Sequence, residues 1–335
     1  MTYRSHDPEV EQPRAEIDQL TEATLAARRA PSILNTQPWH WQFAGPAAEL
    51  TLDSGRHLSG LDPDGRMLTL SCGIALHHAI TALRAGGYAG AVTRFPDARR
   101  RAVLARVRRG PECAPDRQNY DAIYTRRTDR RPFTDAAPPG ADLDALRAAA
   151  ARHGVHLRIL TAEGTHAFAL LATEAGYLEY ADAVSAADLQ DWTDRPRGSG
   201  DGVTAPSLPA ATRRAVPARN FPAPGGPRLA VGPGSDRGTV VGVLITDDDR
   251  AADWLAAGEA LSDVWLTLTT RRLAASPISE VVETPATRTA LRELLGGDGY
   301  PAIALRIGVP AEGSEKPPAT ARRADSDVIG LPGTH

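Results

Sequence analysis

Pro31-Ser-Ile-Leu-Asn-Thr-Gln-Pro-Trp39 is the stretch on which the fold turns. Two prolines bracket a loop of hydroxyl and amide side chains that ends on an aromatic residue. Upstream, Ile17, Leu20, Ala23, Thr24 and Ala27 recur at helical spacing across Glu16 to Arg29. Pro31 stops that helix, because proline lacks the N–H the next turn needs. Downstream, Trp39 to Phe43 and Glu49 to Leu52 read as strands. Taken alone, the loop is either helix-to-strand packing, with Asn35 and Gln37 satisfying backbone groups, or a rigid frame presenting fixed donors and acceptors to a flat heterocycle.

Further along, Asp62-Pro-Asp-Gly65 is a turn and Leu68 to Arg84 a long helix, apolar on most faces and so expected to be buried. Gly86-Gly87 ends it, and the alternation of Val103, Ala105 and Val107 predicts a strand. The second half has parts of the same kind. Leu143 to Ala151 and Ala167 to Ala183 read as helices, and His156 to Leu160 as extended. Thr239 to Ile245 is a strand, Ala251 to Arg271 a long apolar helix and Ala302 to Ile307 another strand. This irregular alternation favours an α+β layered fold.

One internal echo stands out. Gly65-Arg66 precedes Gly73-Ile-Ala-Leu76, and Asp249-Arg250 precedes Gly258-Glu-Ala-Leu261, each pair opening a long apolar helix. If the chain holds two copies of one fold, the second has extra residues before its long helix. Their home is Trp192 to Gly238, too dense in proline and glycine to continue a helix or central strand. Segments of this kind are lids, binding loops or mobile chain.

The 335 residues are 42% hydrophobic and 24% charged, with a formal charge of −3. That composition supports a sizeable core and excludes wholesale disorder, a collagen-like fibre and a disulfide scaffold. It offers no basic field for nucleic acid. Cys72 and Cys113 make no framework, and Cys72 on a buried helix is read as a packing residue. Met1 to Gln19 lacks the apolar core of a signal peptide. The run Val240 to Ile245 is far short of the roughly 20 residues that span a bilayer, so a cytoplasmic protein without membrane contact is expected. His77-His78 and His153-x-x-His156 lack acidic partners at ligand spacing, so no metal site is expected. Gly232 to Gly238 imitates a dinucleotide fingerprint but precedes a strand instead of following one.

Arg126-Arg-Thr-Asp-Arg130 is the other chemical signal. Two guanidiniums and a hydroxyl at alternate positions can close around one phosphate. Without context the ordinary reading is a solvated basic turn. Together, however, Pro31 to Trp39 and Arg126 to Arg130 resemble the bacterial nitroreductases, flavoproteins that carry R-x-[ST]-x-[RK] and, about 30 residues later, P-S-x-x-N-x-Q-P-W. In that family FMN sits between the subunits of a homodimer, its phosphate on one chain and its ring against the loop of the other.

Here the order is reversed. The loop comes first and the phosphate motif follows, so each half keeps the complementary part. No phosphate motif precedes Pro31; the nearest fragment is Tyr3 to His6. The arrangement resembles the fused nitroreductase-like proteins of actinobacteria, the Acg family, over about residues 16 to 330. Asp62 to Arg66, Ser71 to His78, Asp201 to Val203 and Tyr300 to Gly308 fit the same resemblance.

The resemblance implies two fused nitroreductase-like halves, residues 1–115 and 116–335, forming an intramolecular pseudo-dimer with a lid insertion at about 193–238. It implies a monomer with one FMN, NAD(P)H as electron donor and a small-molecule acceptor such as a nitroaromatic or a quinone. Pro31, Ser32, Ile33 and Asn35 would hold the ring, and Arg126, Arg127, Thr128 and Arg130 the phosphate. The turn near flavin N5 corresponds to Pro277, Ile278 and Ser279, with Ser279 where the family has glutamate. Arg322 and Arg323 match the basic residues that reach the phosphate from near the C-terminus, with Lys316 a weaker candidate. No catalytic acid or base is identified. Two rival roles share the site: a lid-covered protein that sequesters FMN, and a flavin-dependent oxidase of a biosynthetic pathway.

Overall fold

The apolar periodicities fold largely as read. The chain runs α1 (Pro8–Ala27), β1 (Trp39–Phe43), β2 (Ala48–Leu52), α2 (Arg66–Ala85), β3 (Tyr88–Arg94), β4 (Val103–Glu112), α3 (Arg117–Thr125) and α4 (Gly140–Ala151). There follow β5 (His156–Ile159), α5 (Ala162–Ala181), α6 (Ala183–Asp191), β6 (Val240–Thr246), α7 (Ala251–Thr270), β7 (Ala274–Ile278) and α8 (Glu280–Glu283). The last elements are α9 (Pro285–Leu294), β8 (Tyr300–Gly308), α10 (Asp325–Val328) and β9 (Ile329–Gly330). The computed structural model describes residues 8–330 apart from 197, 213 and 314; Tyr3 to His6 lies outside them.

Two sheets form. One has the order β3-β4-β2-β1-β9, antiparallel except that β9 joins β1 in parallel, pairing Ile329 with Trp41. The other, β5-β6-β8-β7, is antiparallel throughout. Helices α2 and α7 pack on each other, with α1 against α2 and α4 against α7. A single apolar core runs through this layer, taking Trp39, Trp41, Leu50 and Leu76 from the first half and Phe168, Leu244 and Leu261 from the second. Among the described residues no helix is long and apolar enough to cross a membrane.

Three departures from the sequence reading have physical causes. Edge strand β3 is half-exposed and carries no apolar alternation. Edge strand β7 contains Pro277, which an edge tolerates because no inner ladder needs its missing N–H. The expected helix from Ala167 to Ala183 ends at Asp182, whose carboxylate caps α6 by accepting the Ser185 N–H.

The echoed glycines meet at the α2–α7 crossing. A Cβ on Gly73 would collide with the Leu255 carbonyl, and one on Gly258 with the Leu70 carbonyl. The N-terminal ends are tied by the Arg66–Asp249 ion pair. Glycine in a helix is worth about 1 kcal/mol less than alanine, so propensity alone favours Gly258→Ala. Backbone contact reverses the sign: Gly258→Ala is expected to destabilise the fold by roughly 1–3 kcal/mol, the scale of overpacking. A urea melt checks this; a variant equal to or more stable than the parent would refute the close crossing.

Candidate cofactor site

The loop after α1 is a short 3₁₀ turn, Ile33–Asn35, with Leu34, Asn35 and Gln37 all at positive φ. Asparagine tolerates that region, whereas leucine and glutamine are strained there. Side chains hold the strain in place. Ser32 Oγ accepts the Gln37 N–H at 2.8 Å, and Ser71 Oγ on α2 accepts the Ile33 N–H at 3.1 Å. Asn35 Nδ2 donates to the carbonyls of Gly202 and Ala321, both at 3.3 Å, and its Oδ1 accepts from Arg322 at 3.2 Å. Asn35 thus ties together three remote segments.

The basic segment follows α3. Asp129 N–H donates to the Ala275 carbonyl at 3.0 Å, stitching it to β7. Behind it, the buried Arg306 holds Asp236 at 2.5 and 2.8 Å and donates to the Asp129 and Arg131 carbonyls. A rigid platform therefore presents Arg126, Thr128 and Arg130 on one side.

Two adjoining cavities share Pro31, Ser32, Leu34, Thr128 and Arg130. The first encloses about 900 Å³ with its mouth included. Its apolar floor is Met67, Leu70 and Ile74 of α2 with Leu261 and Trp265 of α7, and its far wall is Pro277, Ile278 and Ser279. The strap between α6 and β6 closes over it with Arg214, Pro217, Ala218, Arg219 and Phe221.

The second cavity, about 830 Å³ with its mouth included, is lined by five guanidinium side chains: Arg29, Arg126, Arg127, Arg130 and Arg322. No carboxylate lines it among the described residues. Arg126 is buried with its guanidinium 4.4 Å over the Trp265 ring, and its Nε and Nη1 have no hydrogen-bond partner among the described residues. Burial first, then Arg322 and Arg127, push its pKa down to about 9. Burial and the neighbouring arginines Arg29, Arg28 and Arg127 likewise push Arg322 down to about 9. Burial pushes Arg130 down to about 10, aided by Arg219. Unpaired buried cations are costly, and an anion between them removes that cost.

The sequence-predicted residues fall out as follows. Pro31, Ser32, Ile33, Thr128, Arg130, Pro277, Ile278 and Ser279 line the apolar cavity, and Asn35, Arg126, Arg127 and Arg322 the basic one. Arg323 does not join them: its guanidinium turns to the Gln37 carbonyl, Asp53 and the Asp327 carbonyl. Lys316 borders a separate cavity on the other side of Arg126 and Arg127. Cys72 is buried against the Pro38 carbonyl with its thiol pKa pushed up, and it packs.

Sequence reasoning missed Arg29, Ser71, Arg214, Arg219, Phe221 and Glu280. Ser71 lies in a segment that fitted the resemblance. Nothing in residue type or spacing distinguishes Arg29, Arg214 or Arg219 from the many surface arginines.

Arg219 anchors the strap. It donates to Glu179 of α5 at 2.7 Å and to Glu283 of α8 at 3.2 and 2.5 Å, all three being buried. Glu280 is buried nearby, and burial pushes its pKa up. Burial, opposed by Arg219 and reinforced by Glu283 and Glu280, pushes Glu179 up to about 8. The base of the strap is fixed separately, where Asp201 pairs with Arg56 and Arg195.

An apolar slot that continues into a basic pocket suits a flat heterocycle bearing a phosphate. No protein-family model matches the chain. A Mycobacterium tuberculosis (strain H37Rv) protein provisionally named an NAD(P)H nitroreductase is 39% identical over 334 residues, covering 98% of this chain and 94% of its own. A second from that strain, provisionally named NAD(P)H nitroreductase Acg, is 33% identical over 319 residues, covering 93% and 95%. Among solved structures, an FMN-bound nitroreductase of Bacteroides fragilis aligns with 61% of this chain and 94% of its own, at 13% identity and a TM-score of 0.39.

Proposed function

Because the chain belongs to the Acg family of nitroreductase-like proteins, we propose that it is an FMN-dependent oxidoreductase passing a hydride from NAD(P)H to a small acceptor such as a nitroaromatic or a quinone. The observation that carries the cofactor assignment is the buried Arg126, without a carboxylate partner among the described residues, in a pocket walled by arginines. FMN supplies two-electron hydride chemistry when bound; the protein supplies position and charge. Arg126, Arg322, Arg130 and Thr128 would hold the phosphate. Pro31 to Leu34 and Trp265 would frame the ring, and Pro277 to Ser279 would border its reactive edge.

On the same reading the chain is two fused halves, 1–115 and 116–335, acting as a pseudo-dimer with one complete site. What supports it is complementarity: Pro31 to Asn35 come from one half, and Arg126 to Arg130 and Pro277 to Ser279 from the other. One FMN per chain, on a monomer by light scattering, is the expected result. Two FMN per chain would show that a second site survives.

A second reading, FMN sequestration with little turnover, is favoured by the strap. Pro217, Ala218 and Phe221 occupy one wall of the apolar cavity, the space in which a nicotinamide would stack. The deciding experiment is an anaerobic visible spectrum of the FMN-loaded protein before and after excess NADPH and then NADH. Bleaching of the flavin band within seconds establishes the reductase. A band that persists until dithionite is added establishes sequestration. A protein that takes up no FMN overturns both.

A further inference from the structure

The helix pair carries a second polar cluster, away from the cofactor pocket. His77 on α2, His153 just beyond α4 and Asp263 on α7 come from distant parts of the sequence, so no spacing rule finds them. Their ligand atoms all lie within 4.8 Å of one another. His153 Nε2 is 3.0 Å and His77 Nε2 3.9 Å from the same oxygen, Asp263 Oδ2. A tetrahedral ion with bonds of about 2.0–2.1 Å sets its ligands about 3.3 Å apart, so small side-chain shifts suffice.

We propose that His77, His153 and Asp263 form a binding site for a divalent transition ion of the zinc type. Three further observations fit. First, His77 Nδ1 is hydrogen-bonded to Ser262 Oγ at 2.8 Å, which orients the ring and leaves Nε2 as the ligand nitrogen. Second, the three side chains are mostly buried, at 12%, 15% and 7% exposure, so the donors are pre-positioned. Third, His77 and Asp263 line a pocket with Thr81, Arg84, Asp116, Asn119 and Arg152, of about 680 Å³ with its mouth included, which leaves room for a fourth, exogenous ligand.

Two cations oppose binding, Arg84 at the pocket wall and, in direct contact with the donors, Arg152. It grips Asp263 through Nε to Oδ2 at 2.9 Å and Nη2 to Oδ1 at 2.8 Å. Its side chain is 54% exposed and can swing outward, and each carboxylate oxygen has two lone pairs. Two imidazoles and one carboxylate suit zinc, cobalt or nickel better than calcium or magnesium. The bound ion would clip α2, α7 and the end of α4 together.

The test uses the full FMN-loaded chain free of any affinity tag. Cobalt(II) is titrated while its visible d–d bands are followed, and zinc is then added as competitor. One cobalt per chain, displaced by zinc, is expected. His77→Gln and His153→Gln should each weaken binding by at least about tenfold while leaving the flavin content unchanged. Arg152→Gln should tighten it, an effect that a merely structural ion-pair cluster would not produce. Zinc should also raise the thermal midpoint of the unaltered chain, reversibly with a chelator, which keeps the test valid should a variant fold poorly. Absence of stoichiometric cobalt, a midpoint that zinc leaves unmoved, or histidine variants that bind as well as the parent would overturn the site.

Discussion

Arg126→Ala is expected to weaken FMN binding by roughly 10- to 150-fold, about 1.5–3 kcal/mol, the scale of a charged hydrogen bond. The same guanidinium is a burden without the anion. It is buried, stacked on Trp265, and leaves Nε and Nη1 unpaired. Replacing it with a side chain of similar bulk should therefore raise the stability of the FMN-free protein while lowering FMN affinity. Arg126→Met is the variant to use, since methionine keeps the contact with Trp265 and drops the charge. Flavin-fluorescence titration and thermal melts of both forms give the two signs. If the variant loses apoprotein stability and keeps FMN affinity, Arg126 is a packing residue and the phosphate lies elsewhere.

Arg219→Leu should have the other large effect, release of the strap. Removing one partner from a buried ion pair typically costs about 3–5 kcal/mol, because the remaining charges are stranded. Here the buried Glu283 loses its cation and Glu179 loses a charged donor, with Glu280 close by. The variant should be cut by protease within residues 192–238 far faster than the parent, and NADPH should reduce its bound FMN faster. A strap as resistant as before would show that Asp201 and the apolar contacts hold it alone.

The same cluster sets a pH dependence. Glu179 has a folded pKa near 8, above its ordinary 4.5, so folding favours its protonated form. The stability it lends is present at low pH and is lost as pH rises through that window. Burial lowers the pKa of His77 to about 4 and of His78 well below 6.5, which works the other way and fades above pH 7 as the unfolded imidazoles lose their protons. Asp62, raised by burial to about 6, is mostly ionised by pH 7. Between pH 7 and 8 the thermal midpoint should therefore fall, and Glu179→Gln should flatten that slope.

Much of the site was legible because its parts are short and chemically loud. Pro31 to Asn35, with Arg126, Arg127, Thr128 and Arg130, border the two adjoining cavities. The long helices were legible because burial on nearly every face leaves a continuous apolar record. What stayed hidden depends on which copy of a common residue the fold buries. Arg322 and Arg323 are neighbours, yet one closes the basic pocket and the other braces Gln37 and Asp53. Arg219 looked like one more strap arginine until α5 and α8 placed carboxylates around it. His77, His153 and Asp263 are invisible to spacing because three separate helical segments bring them together.

The glycine crossing of α2 and α7 bears on how such a chain can diverge. In a symmetric dimer, a substitution beside the two-fold axis appears twice and faces its own copy, so the axis admits only residues that tolerate themselves. On the two-half reading, a single gene encodes the two sides as separate codons. The helix position five residues beyond each glycine shows the result: His78 on one side, buried near Arg126, and Asp263 on the other, gripped by Arg152 and His153. In a symmetric assembly the two positions would carry the same residue. Fusion turns a position constrained by self-compatibility into two that selection can tune independently, one packed near Arg126 and the other free to acquire a chemistry of its own.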